Sequence, residues 1–243
     1  MDNNNLNYTY DKVIQVDDAS ASRKFIANVF LWMFVALAIS SIAAYEFGTN
    51  ESLLRLLINF ETGSRTGLGT LVMFSPLAFV LIMSYGMNKL SYPILAVLFI
   101  CFAALFGMSI SYILLMYTAS SVLGVFVTAS VVFGVMAVAG YTTDQDLTKF
   151  GSLMIMGLIG IVIASLVNMF LKSEQLGYII SYIGVAVFVG LTAYDVQKLK
   201  RIGASEEYGD ATKSKLVLMG ALTLYLDFIN LFLMLLRIFG RRR

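Results

Sequence analysis

Leu216-Val-Leu-Met-Gly-Ala-Leu-Thr-Leu-Tyr-Leu-Asp227-Phe-Ile-Asn-Leu-Phe-Leu-Met-Leu-Leu236 is a run of 21 residues broken by one charge. The hydrocarbon core of a bilayer is about 30 Å thick and a helix rises about 1.5 Å per residue, so about 20 apolar residues make one crossing. The stretch reads as a transmembrane helix carrying a carboxylate in its middle. Working outward with the same ruler, Phe25 to Tyr45, Thr66 to Asn88, Phe150 to Leu171 and Gln175 to Tyr194 each make one span. Leu90 to Thr143 holds no charge in 54 positions and makes two, turning at Tyr117 to Ser121.

Composition agrees. Of 243 residues 59% are hydrophobic and 13% charged, where a soluble domain carries about 25% charge. Disorder is excluded by the hydrophobicity, and a nucleic-acid partner by a net charge of only +2. The partner is the lipid bilayer. Histidine is absent and Cys101 is the single cysteine, which excludes imidazole metal sites, His-based triads and intrachain disulfides. The fold class is an all-α polytopic membrane protein: a polar leader over residues 1–24, then one seven-helix transmembrane domain over 25–243. The leader carries Asp2, Asp11, Asp17 and Asp18 and lacks the basic start of a signal peptide, so span one is expected to be an anchor. The longest loops are expected at Gly48 to Arg65 and Val196 to Lys215.

Orientation follows from basic residues. The N-terminal side collects Lys12, Arg23, Lys24, Lys89, Lys149, Lys198, Lys200, Arg201, Lys213 and Lys215, ten against seven opposite, which favours a cytoplasmic N-terminus. The opposing seven include Arg237, Arg241, Arg242 and Arg243. Either that tail is an exception, or the last helix fails to cross and returns. Small residues that let helices approach recur as Gly177, Gly184 and Gly190, as Gly151, Gly157 and Gly160, and as the pair Ser130 and Gly134.

Intramembrane polarity collects in the last two spans. At 100° per residue Gly220, Thr223, Asp227, Asn230 and Arg237 share one stripe, and Ser181, Gly184, Thr192 and Asp195 another. Such faces are expected to turn from lipid, since a charged Asp at the helix centre costs about 2.5 to 3.5 kcal/mol. Two facing carboxyls hold one proton between them and titrate as a pair, a route to proton sensing that needs no histidine. Depth opposes the pairing. In a hairpin centred near Glu206 the two aspartates differ by about 15 Å, so contact requires span six to run to about Arg201 and span seven to start near Lys215. The competing structural reading makes Asp195 an interfacial partner of Lys198, Lys200 or Arg201, and Asp227 a hydrogen-bonding partner of Asn or Ser on another helix. Glu46, at the end of span one, reads as interfacial. Tyr194, Tyr225 and Trp32 read as packing or anchoring residues.

The stretch Gly190-Leu-Thr-Ala-Tyr-Asp195-Val-Gln-Lys-Leu-Lys200, with Ala221-Leu-Thr-Leu-Tyr-Leu-Asp227-Phe-Ile-Asn-Leu-Phe232 and Leu236-Arg237, resembles the signature of the transmembrane Bax inhibitor motif family, bacterial branch. The run from Gly140 to Leu171 is similar to that family's fifth-span region. The resemblance implies six helices around a central seventh, in the bacterial cytoplasmic (inner) membrane. It implies a pH-regulated calcium leak channel whose sensor and transient calcium ligands are Asp195 and Asp227, with acid promoting the leak. Calcium is then the transported ion, protons regulate it, and no cofactor or enzymatic activity is expected. The family also latches the sixth-helix Asp to a basic residue at the end of helix two. That region here, Ser84-Tyr-Gly-Met-Asn-Lys89, has no Arg, leaving Lys89 with a point charge in place of the arginine fork. Lys89, Asn230, Thr223, Arg237 and Glu46 are the supporting candidates.

Two rivals share these residues. Some bacterial relatives are described as modulators of a membrane-anchored AAA protease, a non-enzymatic binding role. Tyr194-Asp195 with Asp227 also mimics an intramembrane aspartyl protease, but Leu224-Tyr225-Leu226 replaces the Gly-x-Gly before Asp, and the only prolines, Pro76 and Pro93, form no Pro-Ala-Leu element. A retinal protein is excluded because span seven has no lysine.

Overall fold

A computed structural model describes the backbone of residues 4–243 and the side chains of residues 20–243, so the leader expected over 1–24 lies outside the described residues except for its last few. The elements are α1 (Asn4–Thr49), α2 (Glu51–Leu57), α3 (Gly67–Gly86), α4 (Tyr92–Ile110), α5 (Ile113–Met116), α6 (Ala119–Thr142), α7 (Thr148–Leu171), α8 (Glu174–Ala204) and α9 (Asp210–Phe239). Seven crossings result: α1 from Ser20, α3, α4 with α5, α6, α7, α8 and α9.

Backbone groups have no water to bond in hydrocarbon, so each crossing satisfies them internally as a helix. The ends are set by side chains. Thr66 caps α3 by accepting from Gly69 N, and Ser173 caps α8 by accepting from Leu176 N. The turn between α7 and α8 needs a left-handed residue, Lys172 at φ 51°, and Asn168 Oδ1 closes it by accepting from Ser173 N at 3.0 Å.

The central element is α9. Of its most apolar stretch 67% is buried, against 11% for α7, which makes α9 the core and α7 perimeter. Leu218, Leu224, Tyr225 and Leu231 are fully enclosed. Helices α1, α4, α6 and α8 pack on α9 directly, while α3 packs on α4 and α7 on α8.

Two expected loops are helix over half or more of their length. Within Gly48 to Arg65, Asn50 caps α2, Glu51 and Arg55 pair at 2.6 Å, and Leu54 and Leu57 are buried; the remainder is a hairpin bridged at Ile58 and Arg65. Val196 to Lys215 reduces to a turn over 205–209, because α8 and α9 both continue past the apolar run into water. Charge marks the limit of hydrocarbon, not the limit of the helix.

The last helix crosses fully. Arg242 forms a bridge with Tyr117 and an ion pair with Glu174 at 3.3 Å, and Thr118 N donates to Arg241 O at 3.1 Å. The basic tail therefore sits on the face of the α5–α6 and α7–α8 turns, opposite the α8–α9 turn. The alternative in which it turns back does not occur.

Candidate functional site

The site is built on the antiparallel seam of α8 and α9. Leu199 fills the space beside Gly220, Met234 the space beside Gly184, and the Arg237 guanidinium lies on Gly177. These pairs centre the hairpin near Gly209, not Glu206. Asp195 then lies 14 residues before the centre and Asp227 18 after it, a residual offset of about one helical turn, which the side chains span. The start required for span seven near Lys215 is corrected: α9 begins at Asp210.

The carboxyls of Asp195 and Asp227 are within hydrogen-bonding contact of one another. Asp195 is 9% exposed and Asp227 6%. A hydrogen bond between two carboxyl groups needs a proton on one of them. Asp227 Oδ2 is buried without a hydrogen-bond partner among the described residues, so the site keeps one oxygen in reserve, an acceptor held in a place that normally enforces pairing.

Neighbouring helices press on the Asp195 turn. A Cβ on Gly140 of α6 would run into the backbone of Ala193, and one on Gly151 of α7 into the ring of Tyr194. These absences let α6 and α7 close on α8 on either side of the aspartate. Gly134 and Gly160 meet nothing within 4 Å, so at those two positions the small-residue pattern does not mark a close helix contact.

Two of the three competing partners of Asp195 are engaged elsewhere. Lys200 Nζ donates to Tyr141 O at 2.8 Å, and Arg201 pairs with Asp146 at 2.7 Å. Lys198 acts on Asp195 only through its field and forms no ion pair among the described residues. Beside them Gln197 donates to Gln145 O at 2.7 Å and accepts from Leu147 N at 2.9 Å. This polar staple, holding the α6–α7 loop to α8, was not legible in advance. Its signal was the Asp144-Gln-Asp146 turn opposite a helix carrying Gln197 and Arg201. Hydrogen bonds from Thr148, then the Arg201 guanidinium, hold the Asp146 carboxyl well below the usual carboxylate range.

The supporting candidates disperse. Lys89 is exposed beyond the end of α3 and forms no ion pair among the described residues. The contact there runs the other way: Lys215 Nζ of α9 donates to Met87 O at 3.3 Å. Glu46 is exposed in the last turns of α1. On α9 the expected inward stripe is only partly inward. Gly220 and Asp227 are buried, Asn230 and Arg237 half-buried, and Thr223 exposed, because the helices packed on α9 leave that side of it open. Thr223 and Asn230 bond to Met219 O and Leu226 O of their own helix. The α8 stripe is inward throughout, with Ser181 and Thr192 at 0% exposure.

The residues around this geometry have counterparts elsewhere. The sequence pattern of the family described as "Inhibitor of apoptosis-promoting Bax1" matches residues 22–243. The chain is 44% identical over 234 residues to the "Inner membrane protein YbhL" of Escherichia coli strain K12, covering 96% of this chain and 97% of that one. It is 43% identical to an uncharacterized protein of Rickettsia prowazekii, over 91% of each chain. A third relative, an uncharacterized protein of Borreliella burgdorferi, is 42% identical over 90% of this chain and 93% of that one.

Proposed function

The chain belongs to the Bax inhibitor family, and from that premise we propose that it is a pH-regulated calcium leak in a bacterial inner membrane, with Asp195 and Asp227 as its gate. The observation that carries the reading is the carboxyl-to-carboxyl contact between the central helix and its hairpin partner. While a proton lies between the two groups they hold α8 and α9 together. Uptake or loss of a proton ends that shared bond and repositions α9 against α8.

The same oxygens suit the ion. Calcium is a hard cation that takes 6–8 oxygen ligands at about 2.3–2.6 Å. Among the described residues no third acidic side chain joins the pair in a metal-binding cluster. Two carboxylates with water completing the shell favour passage over storage. The ten-to-seven excess of basic residues supports a cytoplasmic N-terminus, and the printed name of the Escherichia coli relative supports the inner membrane. None of the relatives described above carries an enzymatic name, and the reading is non-enzymatic.

The test is flux into liposomes loaded with a calcium dye, with wild type and Asp227→Asn compared from about pH 5 to about pH 8. Wild-type flux is expected to change with pH and the variant's to be flat. A variant with unchanged, pH-dependent flux overturns the gate.

A further inference from the structure

Seven basic residues lie on the face opposite the α8–α9 turn, and contacts within the protein occupy four of them. Arg55 pairs with Glu51 at 2.6 Å, Arg65 lies 5.3 Å from the centre of the Tyr112 ring, Arg242 pairs with Glu174 at 3.3 Å, and the Arg237 guanidinium rests on Gly177. The other three are Lys172, Arg241 and Arg243. The two arginines stand together in the tail, exposed, and neither side chain has a partner among the described residues.

The backbone fixes how they are presented. The tail pairs antiparallel with the α5–α6 turn: Thr118 N donates to Arg241 O at 3.1 Å, Arg243 N to Met116 O at 3.0 Å, and Arg241 N to Ser121 Oγ at 2.8 Å. Side chains alternate along such a strand, so Arg242, which reaches Glu174, faces one way and Arg241 and Arg243 the other. Two residues of extended chain span about 6.6 Å. Two guanidinium forks at that spacing can hold one tetrahedral anion between them.

Depth names the anion. One crossing ends at Phe239, another at Met116, and a third starts at Ala119; Phe239 and Met116 are both exposed apolar side chains. Arg241 and Arg243 therefore lie two and four residues past the hydrocarbon edge. The headgroup layer extends about 5–7 Å beyond that edge on each side, so the pair stands inside it, where the phosphate of lipid is the abundant anion. A headgroup with its own amine brings a competing cation, whereas an anionic headgroup leaves its phosphate to the arginines.

We propose that Arg241 and Arg243 clamp the phosphate of an anionic glycerophospholipid in the leaflet on this face. The tail continues the central helix directly, so the lipid anchors α9 at its C-terminal end. The site stands independently of what the aspartate pair conducts.

Native mass spectrometry of the full chain, taken from vesicles of equal phosphatidylglycerol and phosphatidylethanolamine, tests it. Wild type is expected to retain one phospholipid and to prefer phosphatidylglycerol about fivefold or more. Arg241→Gln with Arg243→Gln leaves the backbone bonds of the tail in place and is expected to bring the preference to parity. Arg243→Gln alone repeats the test should the pair aggregate, with part of the preference lost. Arg242→Gln removes an equal charge from the other face of the strand and is expected to keep the preference. No preference in wild type, an unchanged preference in the folded double or single variant, or an equal loss in Arg242→Gln, which would make the effect one of general basicity, overturns the proposal. So does a lipid-free protein that carries inorganic phosphate in its place.

Discussion

The Tyr225 hydroxyl lies 2.7 Å from Ser40 Oγ, two residues from Asp227 and on the opposite side of the central helix. Ser40 Oγ in turn donates to Ala103 O at 2.7 Å. A serine has one proton to give, so Tyr225 is the donor in the first bond. One short chain thus ties α9 to α1 and α4 behind the aspartate, ringed by Phe99, Phe102 and Phe106.

Tyr225→Phe keeps the ring and loses the bond. It is expected to cost about 1 kcal/mol, seen as a small drop in the thermal unfolding midpoint in detergent. Tyr225→Ala empties the site and is expected to cost about 3–5 kcal/mol.

Close approach at Gly140 and open space at Gly160 make opposite forecasts for one chemical change. Gly140→Ala drives a methyl group into the Ala193 backbone and is expected to destabilise by about 1–3 kcal/mol. Gly160→Ala meets nothing and is expected to be neutral or stabilising by up to about 1 kcal/mol, since alanine is the better helix former. Thermal unfolding of both variants in one detergent checks the contrast.

The staple at Asp146 sets a pH limit. Its carboxyl is held down in the folded protein, so its contribution is fully present above the ordinary carboxylate range, about pH 4, and is lost only as pH falls below that. Between about pH 5 and about pH 8 it does not titrate. Arg201→Gln is expected to speed limited proteolysis of the α6–α7 loop by a similar factor at both ends of that window. A protection that varied between them would point to another titrating group in the loop.

Lys89 and Asp195 are expected to separate in the flux assay. Lys89→Ala, which removes an exposed charge with no ion pair among the described residues, leaves the pH profile of wild type. Asp195→Asn flattens it. Matching profiles from the two variants would restore a latch between α3 and α8.

How much of this was legible in the sequence depended on what lipid penalises. Charge is so costly in hydrocarbon that the seven crossings, and Asp227 within the last, stand out from residue types alone. The turn expected at Tyr117 to Ser121 falls where α5 gives way to α6. Helix ends were not legible, because α8 carries Asp195, Lys198, Lys200 and Arg201 into its last turns without breaking. That continuation moved the hairpin centre from Glu206 to near Gly209 and brought the aspartates within reach. Periodicity placed Thr223 on the inward stripe, but whether a face is covered depends on where a neighbour packs, and Thr223 is left exposed.

The central position of α9 also bears on how the protein is made. The six surrounding crossings enter the membrane before the helix they enclose. Until it arrives, Asp195 has no Asp227, Ser40 has no Tyr225, and Thr118 and Glu174 wait for the arginines of the tail. Contacts between α1 and α9 join the two ends of the order of synthesis, so final assembly is a late, long-range event. Chains halted before Leu216 lack the helix around which the interior packs.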